Sequence, residues 1–226
     1  MGRFSSPVID GVRSDGLIPL PYEQLFDILA IVDVLPLTLF GALPPAVAAR
    51  VIFERTVLDD TSWVDVARDF LLGADSLFDA LVEQLPFTQS RRLMYNNWVD
   101  EPRLNCGLDL SHAPPVVRSL ARALRATYGV VFDSCFVNYY RDGHDSVTWH
   151  SDREGRSILD PMVAIVSLGG TRRFGLRPKG GGASHGFTLY SGDALVMGGA
   201  CQHRFEHRVP KMASAAPRMS LSFRHH

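Results

Sequence analysis

The chain has 226 residues, 46% of them hydrophobic and 21% charged, which suits one medium globular domain and excludes a disordered protein or a fibre. A domain of this length buries roughly 70% of its unfolded surface, so neither disulfides nor a structural metal is needed to hold it together. Its 23 Lys and Arg nearly cancel 24 Asp and Glu, leaving a net charge of −1, which excludes attachment to nucleic acid by bulk positive charge but leaves room for a local basic groove.

Residues 1–20 carry little commitment to structure, as termini commonly do, and residues 21–226 read as a single domain without a low-complexity linker or an internal repeat. Met1 to Asp15 has no apolar run before its acidic residues, so no signal peptide is expected. The uncharged stretch between Asp33 and Arg50 is short and broken by Pro36, Pro44 and Pro45, which argues against a membrane helix. Cys106, Cys135 and Cys201 are odd in number and form no CxxC, which suits a reducing compartment. A soluble, cytoplasmic protein with no membrane partner is the expectation.

From Tyr22 to about Tyr128 the patterns are mostly helical or irregular. Ala74 to Leu85 places Leu77, Phe78, Leu81, Val82 and Leu85 on one helical face after the opening signals Asp75 and Ser76. Pro114 to Tyr128 repeats the signature, with Val117, Leu120 and Leu124 on one side and Gly129 as the stop. From Val130 onward the texture turns to short strands: Val130 to Tyr140, Met162 to Leu168, Arg173 to Leu176, Phe187 to Tyr190, Ala194 to Met197 and Met219 to Phe223. Turn signals such as Asp142-Gly143, Gly169-Gly170 and Ser191-Gly192-Asp193 separate them, and several short strands at near-regular spacing predict a sandwich or barrel.

Chemistry concentrates in that second half. His150 and Asp152 lie two apart, so in a strand they aim at one point and supply two thirds of the facial triad that holds non-haem iron(II). Alone, such a tripeptide is as well read as surface hydrogen bonding. A third ligand must come from a distant strand, where His203 and His207 compete. Phe205, Val209 and Pro210 argue against one helix carrying both, and on one strand they lie too far apart to share a metal; His207 is the choice, with His203 left as a supporting or surface residue. In the last strand Arg218, Ser220, Ser222 and Arg224 share one face, while Met219, Leu221 and Phe223 share the other. An arginine inside a barrel is costly unless an anion meets it, and a carboxylate fits its fork best; the alternative is an edge strand with its polar face in water. A metal triad followed by an inward arginine suits an iron enzyme that uses 2-oxoglutarate. Asn138 and Tyr140 share a face of an earlier strand and are placed to hydrogen-bond the same ligand.

These residues together resemble the AlkB family of Fe(II)/2-oxoglutarate dioxygenases. The similarity runs through Asn138-Tyr139-Tyr140-Arg141-Asp142-Gly143, His150-Ser151-Asp152-Arg153-Glu154, Ser167 to Phe174, Gly192-Asp193, Phe205 to Pro210 and Arg218 to Arg224, and weakly upstream through Val99 to Arg103. The resemblance implies an α+β, mainly β fold: a double-stranded β-helix (a jelly roll) over about residues 130–226, braced by N-terminal helices. It implies His150, Asp152 and His207 as iron ligands. Asn138, Tyr140, Arg218, Ser220 and Arg224 become cosubstrate contacts, Arg218 pairing with the far carboxylate of 2-oxoglutarate. Glu154 falls where relatives place an acidic residue against the target base, and Tyr95, Trp98 and Arg103 are candidates for a poorly aligning lid, the alternative being aromatics buried against the barrel. Ser220 and Ser222 depart from the family's R-x-N-x-T-x-R, which puts one cosubstrate hydrogen bond in doubt.

The chemistry implied is oxidative demethylation of N-alkylated bases in DNA or RNA, as in alkylation repair, with Fe(II), 2-oxoglutarate and O2. No protein partner is evident and a monomer is expected. Arg91, Arg92, Arg103, Arg172, Arg173, Lys179, Arg204, Arg208 and Lys211 surround the expected mouth and lend modest support to a nucleic-acid partner. The competing readings are an oxygenase acting on a protein, lipid or metabolite, and a non-catalytic jelly-roll module with a structural metal.

Overall fold

Strand β14 (Arg218–Arg224) explains how the molecule is layered. It pairs antiparallel with β9 (Val163–Gly169) on one side and β7 (Ser134–Tyr140) on the other, so it is central in its sheet. Its period of two sends Met219, Leu221 and Phe223 into a core with two helices, and Arg218, Ser220, Ser222 and Arg224 into a cavity on the opposite side. Both faces are therefore covered, and the polar face that an edge strand would show to water is inside.

The computed structural model describes residues 43–94, 97–152 and 158–225, all within one compact unit. In chain order these residues form β1 (Ala46–Val47), β2 (Glu54–Val57), β3 (Ser62–Ala67), β4 (Leu71–Leu72), α1 (Ala74–Gln84), β5 (Thr88–Met94), β6 (Asn97–Leu108) and α2 (Pro115–Tyr128). There follow β7, β8 (Val147–His150), β9, β10 (Arg172–Pro178), β11 (His185–Leu189), β12 (Ala194–Gly199), α3 (Cys201–Arg204), β13 (Phe205–Val209) and β14. The large sheet has the order β2-β3-β12-β9-β14-β7-β6-β5, and the small sheet the order β11-β10-β13-β8. Phe174, Leu176, Leu189, Phe205 and Val209 of the small sheet pack against Ile165, Leu195 and Met197 of the large one. This is the jelly roll, mainly β, that the sequence predicts.

The two predicted helices stand, and they brace the outer face of the large sheet. Leu77 and Leu81 of α1 and Val117, Leu120 and Leu124 of α2 are buried with Val137, Val166, Met219 and Leu221. Gly129 ends α2 at φ 74, where its backbone N–H donates to the carbonyl of Arg125, a left-handed stop that glycine adopts without strain.

One expectation is corrected. The stretch before Tyr128 is not mostly helical or irregular, since β2, β3, β5 and β6 extend the large sheet at both edges. The sequences of β5 and the start of β6 hide this: Thr88 to Arg92 are polar, and Asn97 to Arg103 hold Trp98 and Val99 side by side, include Pro102 and lack apolar alternation, because strands at the margin of a sheet draw on ladder bonds more than on burial. Leu104 to Leu108 pair with β7, whereas Asn97 to Arg103 run past its end beside β5 as a two-stranded ribbon. His203 and His207 do not share a strand. Gly198 and Gly199 end β12, and the chain turns through α3, where the N–H of His203 donates to Ala200, before β13 begins.

Candidate functional site

Register between β8 and β13 brings the first cluster together. His207 sits directly opposite His150, and their rings lie 4.2 Å apart. Asp152 follows β8, with Oδ1 3.8 Å from Nε2 of His150 and 3.9 Å from Nε2 of His207. Two donors each ~2.1 Å from a metal stand ~3–4 Å apart, so a divalent ion fits between these three atoms. The second atoms of His150 and Asp152 are already engaged. Nδ1 of His150 donates to the carbonyl of Thr148 at 2.9 Å, which leaves the lone pair on Nε2. Arg224 donates Nε and Nη2 to Oδ2 of Asp152 at 3.1 and 3.0 Å, which leaves Oδ1 for the ion.

Electrostatics suit metal binding. Burial works against an ionised Asp152, but His207, Arg224 and His150 outweigh it, and the carboxyl is held below its ordinary range. Burial pushes His207 down to about 3, so its imidazole is neutral at neutral pH and able to donate a lone pair. Arg224 is then the permanent cation beside Asp152. Phe174 stacks on the His207 ring at 5.3 Å and helps fix its plane.

The cluster lines a cavity of about 140 Å³ whose other walls come mainly from β7, β9 and β14, with Arg103 of β6 and Phe174 of β10. Arg218 reaches into it while only 1% exposed, with Nε donating to the Ser167 hydroxyl at 3.1 Å and Tyr140 at 5.3 Å, ring centre to guanidinium carbon. Burial lowers its pKa to about 10, a sign of a cation lacking full compensation. Among the described residues no carboxylate lies within ion-pair distance of it, which leaves its charge open to an incoming anion. Asn138, Tyr140, Ser220 and Arg224 line the same space, with Asn138 and Ser220 opposite each other across β7 and β14.

The other residues singled out by the sequence fall differently. Trp98 lies on the β5–β6 ribbon, 62% exposed and away from this cavity, which overturns burial against the barrel as its alternative. Tyr95 and Glu154 lie outside the described residues. His203 turns away, its Nε2 at 2.9 Å from the carbonyl of Ile158. Arg172 is no part of a basic mouth: 1% exposed, it donates to the carbonyls of Asp142, Asp145 and Pro210. Arg204 is turned to Asp59 and Thr61. Phe174, Ser167 and Phe136 were not singled out. Phe174 alternates with buried Leu176, a pattern that marks an inward face without saying what the face contains.

Comparison with known proteins decides the family. The profile of the 2OG-Fe(II) oxygenase superfamily matches residues 99–224. The chain belongs to this superfamily. Within it the similarity is to the AlkB branch. Human alpha-ketoglutarate-dependent dioxygenase alkB homolog 3 is 36% identical over 151 residues, covering 62% of this chain and 48% of that protein. The Bos taurus protein of the same name is 32% identical, covering 68% and 62%, and the Bos taurus DNA oxidative demethylase ALKBH2 is 27% identical over 67% of this chain. The chain thus spans about half to three fifths of the alkB homolog 3 relatives it matches. A solved structure of OsALKBH1 shares the fold at a TM-score of 0.56 and 17% identity, covering 76% of this chain and 100% of that one. Members of the superfamily use Fe(II), 2-oxoglutarate and O2, and the His-Asp-His donor set with one carboxylate oxygen left open fits that iron.

Proposed function

We propose that the chain is an Fe(II)/2-oxoglutarate dioxygenase that removes N-methyl groups oxidatively from alkylated bases in nucleic acid, with DNA repair as its setting. One observation carries the reading: a single cavity holds the His150-Asp152-His207 cluster and the buried, carboxylate-free Arg218. A metal-binding module without catalysis has no use for the second feature. The name of the ALKBH2 relative, a DNA oxidative demethylase, supports the substrate class.

In this reading His150, Asp152 and His207 hold iron through Nε2, Oδ1 and Nε2. Arg218 meets the far carboxylate of 2-oxoglutarate, while Tyr140, Asn138, Ser220 and Arg224 orient the cosubstrate. Bound iron supplies activation of O2 coupled to oxidative decarboxylation of 2-oxoglutarate. In the balance, one oxygen atom enters succinate and the other the methyl group; CO2 leaves, and the hydroxymethyl product releases formaldehyde to restore the N–H. The protein's part is to bind, orient and exclude water. Because the cluster lies inside the barrel, a base reaches it only from a single strand or rotated out of its stack. Trp98 on the ribbon, and Tyr95 by its place in the sequence, are assigned to the nucleic acid. Glu154 is assigned to the base, since methylation at a ring nitrogen of adenine or cytosine makes it cationic.

The test is mass spectrometry of methylated DNA and RNA oligonucleotides incubated with protein, Fe(II), 2-oxoglutarate and O2. Loss of 14 mass units per methyl, as CH3 becomes H, with stoichiometric succinate is expected (about 14 from the removed CH2). Succinate formed on a protein, lipid or metabolite, with every oligonucleotide untouched, would transfer the protein to the rival oxygenase class. No succinate under any condition would leave a binding module.

A further inference from the structure

Arg103 lies, with Val147, at the seam between two cavities. It lines the iron-binding cavity with Asn138 and also a neighbouring one of about 90 Å³, formed with Val99, Glu101, Val147 and Thr148. Its side chain is 12% exposed, with Nη2 2.9 Å from Oε2 of Glu101 and Nε donating to Oδ1 of Asn138 at 2.9 Å. Guanidinium can only donate, so the atom of Asn138 that faces it must be the amide oxygen. The amide NH2 is thereby turned elsewhere, and among the described residues it has no acceptor. Asn138 lines the cavity beside Ser220, so the free donor belongs to that space.

We infer that Arg103 is a positioning residue for 2-oxoglutarate: it fixes the Asn138 amide with its NH2 toward the cosubstrate. A terminal amide otherwise has two nearly equivalent orientations, and the wrong one sets an oxygen against the cosubstrate's acceptor oxygens. The device matters more here because Ser220 stands where the family has an asparagine, which leaves Asn138 as the amide on this pair of strands. The inference rests on the proposed cosubstrate role of Asn138, and the experiment separates the two.

The test is calorimetric titration of 2-oxoglutarate into the full chain loaded with Mn(II), so that binding is read without turnover. Wild type, Arg103→Met, Arg103→Lys, Asn138→Ala and the double variant Arg103→Met/Asn138→Ala are compared. Arg103→Met is expected to weaken binding roughly three- to tenfold, the effect of one hydrogen bond, and Arg103→Lys to recover part of it. In the Asn138→Ala background Arg103→Met is expected to add nothing, whereas a merely structural role would weaken both backgrounds alike. Unchanged affinity in Arg103→Met, or an equal loss in both backgrounds, overturns the inference while leaving the cosubstrate site standing. Unchanged affinity in Asn138→Ala removes the role of Asn138 and this inference with it, and no binding by the wild type overturns the proposed function as a whole.

Discussion

Single side chains decide the metal and anion sites. Asp152 gives one oxygen to Arg224 and keeps the other, facing the two imidazoles, for the ion, so Asp152→Ala is expected to abolish iron binding and turnover. His207→Ala is expected to lose the metal, whereas His203→Ala keeps it because that ring is engaged with Ile158. Iron stoichiometry by elemental analysis checks all three, and a metal-free His203→Ala would reject the assignment. Arg218→Ala removes a charge-assisted contact of about 1.5–3 kcal/mol, a roughly ten- to hundredfold higher requirement for 2-oxoglutarate. Arg218→Lys is expected to restore only part, since it keeps charge without the fork. Glu154→Ala is expected to impair demethylation of cationic bases far more than uncoupled succinate formation, and equal loss of both activities would remove it from base recognition.

At the scale of an element, the loop ahead of β8 holds the first ligand strand in place. Arg172 draws together Asp142, Asp145 and Pro210, and Asp145 accepts the backbone N–H and the guanidinium of Arg141. Arg172→Met strips one donor group from three carbonyls and is expected to destabilise the fold by about 3 kcal/mol in chemical denaturation. Burial works against the Asp145 charge, but the Arg141 hydrogen bonds and the charges of Arg141 and Arg172 outweigh it and hold the carboxyl below its ordinary range. A depressed carboxyl contributes stability that is present above its unfolded pKa and is lost as pH falls through the lower folded value. Asp145→Asn is therefore expected to lower stability at neutral pH and to flatten the acid limb below about pH 4. A melting profile of that variant parallel to wild type down to acid pH would show that Asp145 contributes no linkage.

Across the whole molecule, the cavity joins the two sheets, since β8 with the residues after it and β13 bring the proposed metal ligands, and β7, β9 and β14 bring the proposed anion site. Ligands that bind there and not to the unfolded chain stabilise both sheets together. With Mn(II) and 2-oxoglutarate at about a hundredfold their dissociation constants, each contributes about 2.7 kcal/mol. Thermal unfolding is expected to rise by roughly 5–10 °C for each, and chelation of the metal reverses it. The shift with metal is expected to vanish in Asp152→Ala and the shift with 2-oxoglutarate to shrink in Arg218→Ala. Equal shifts in these variants and the wild type would place the ligands outside this cavity. No helix of the described residues is long and apolar enough to cross a membrane.

Alternation and helical period are local, and they were legible in the chain itself. The two faces of β14, the apolar stripes of α1 and α2 and the strands after Val130 needed only neighbouring residues to be recognised. The order of His150-x-Asp152, His207 and Arg218-x-Ser220-x-Ser222-x-Arg224 pointed to the family, because several weak motifs agreed in order and spacing. Convergence is a different kind of property. Whether His150 meets His207 depends on the register of β8 against β13, and that is set by the packing of both sheets. The same holds for Arg172, whose charge reads as surface until the loop and β13 close around it. It holds also for the edge strand β5 and its neighbour β6, whose ladder bonds to one another and to β7 substitute for the missing apolar pattern. Arg103 meets Asn138 only because β6 lies beside β7, a pairing between distant segments that no local pattern encodes.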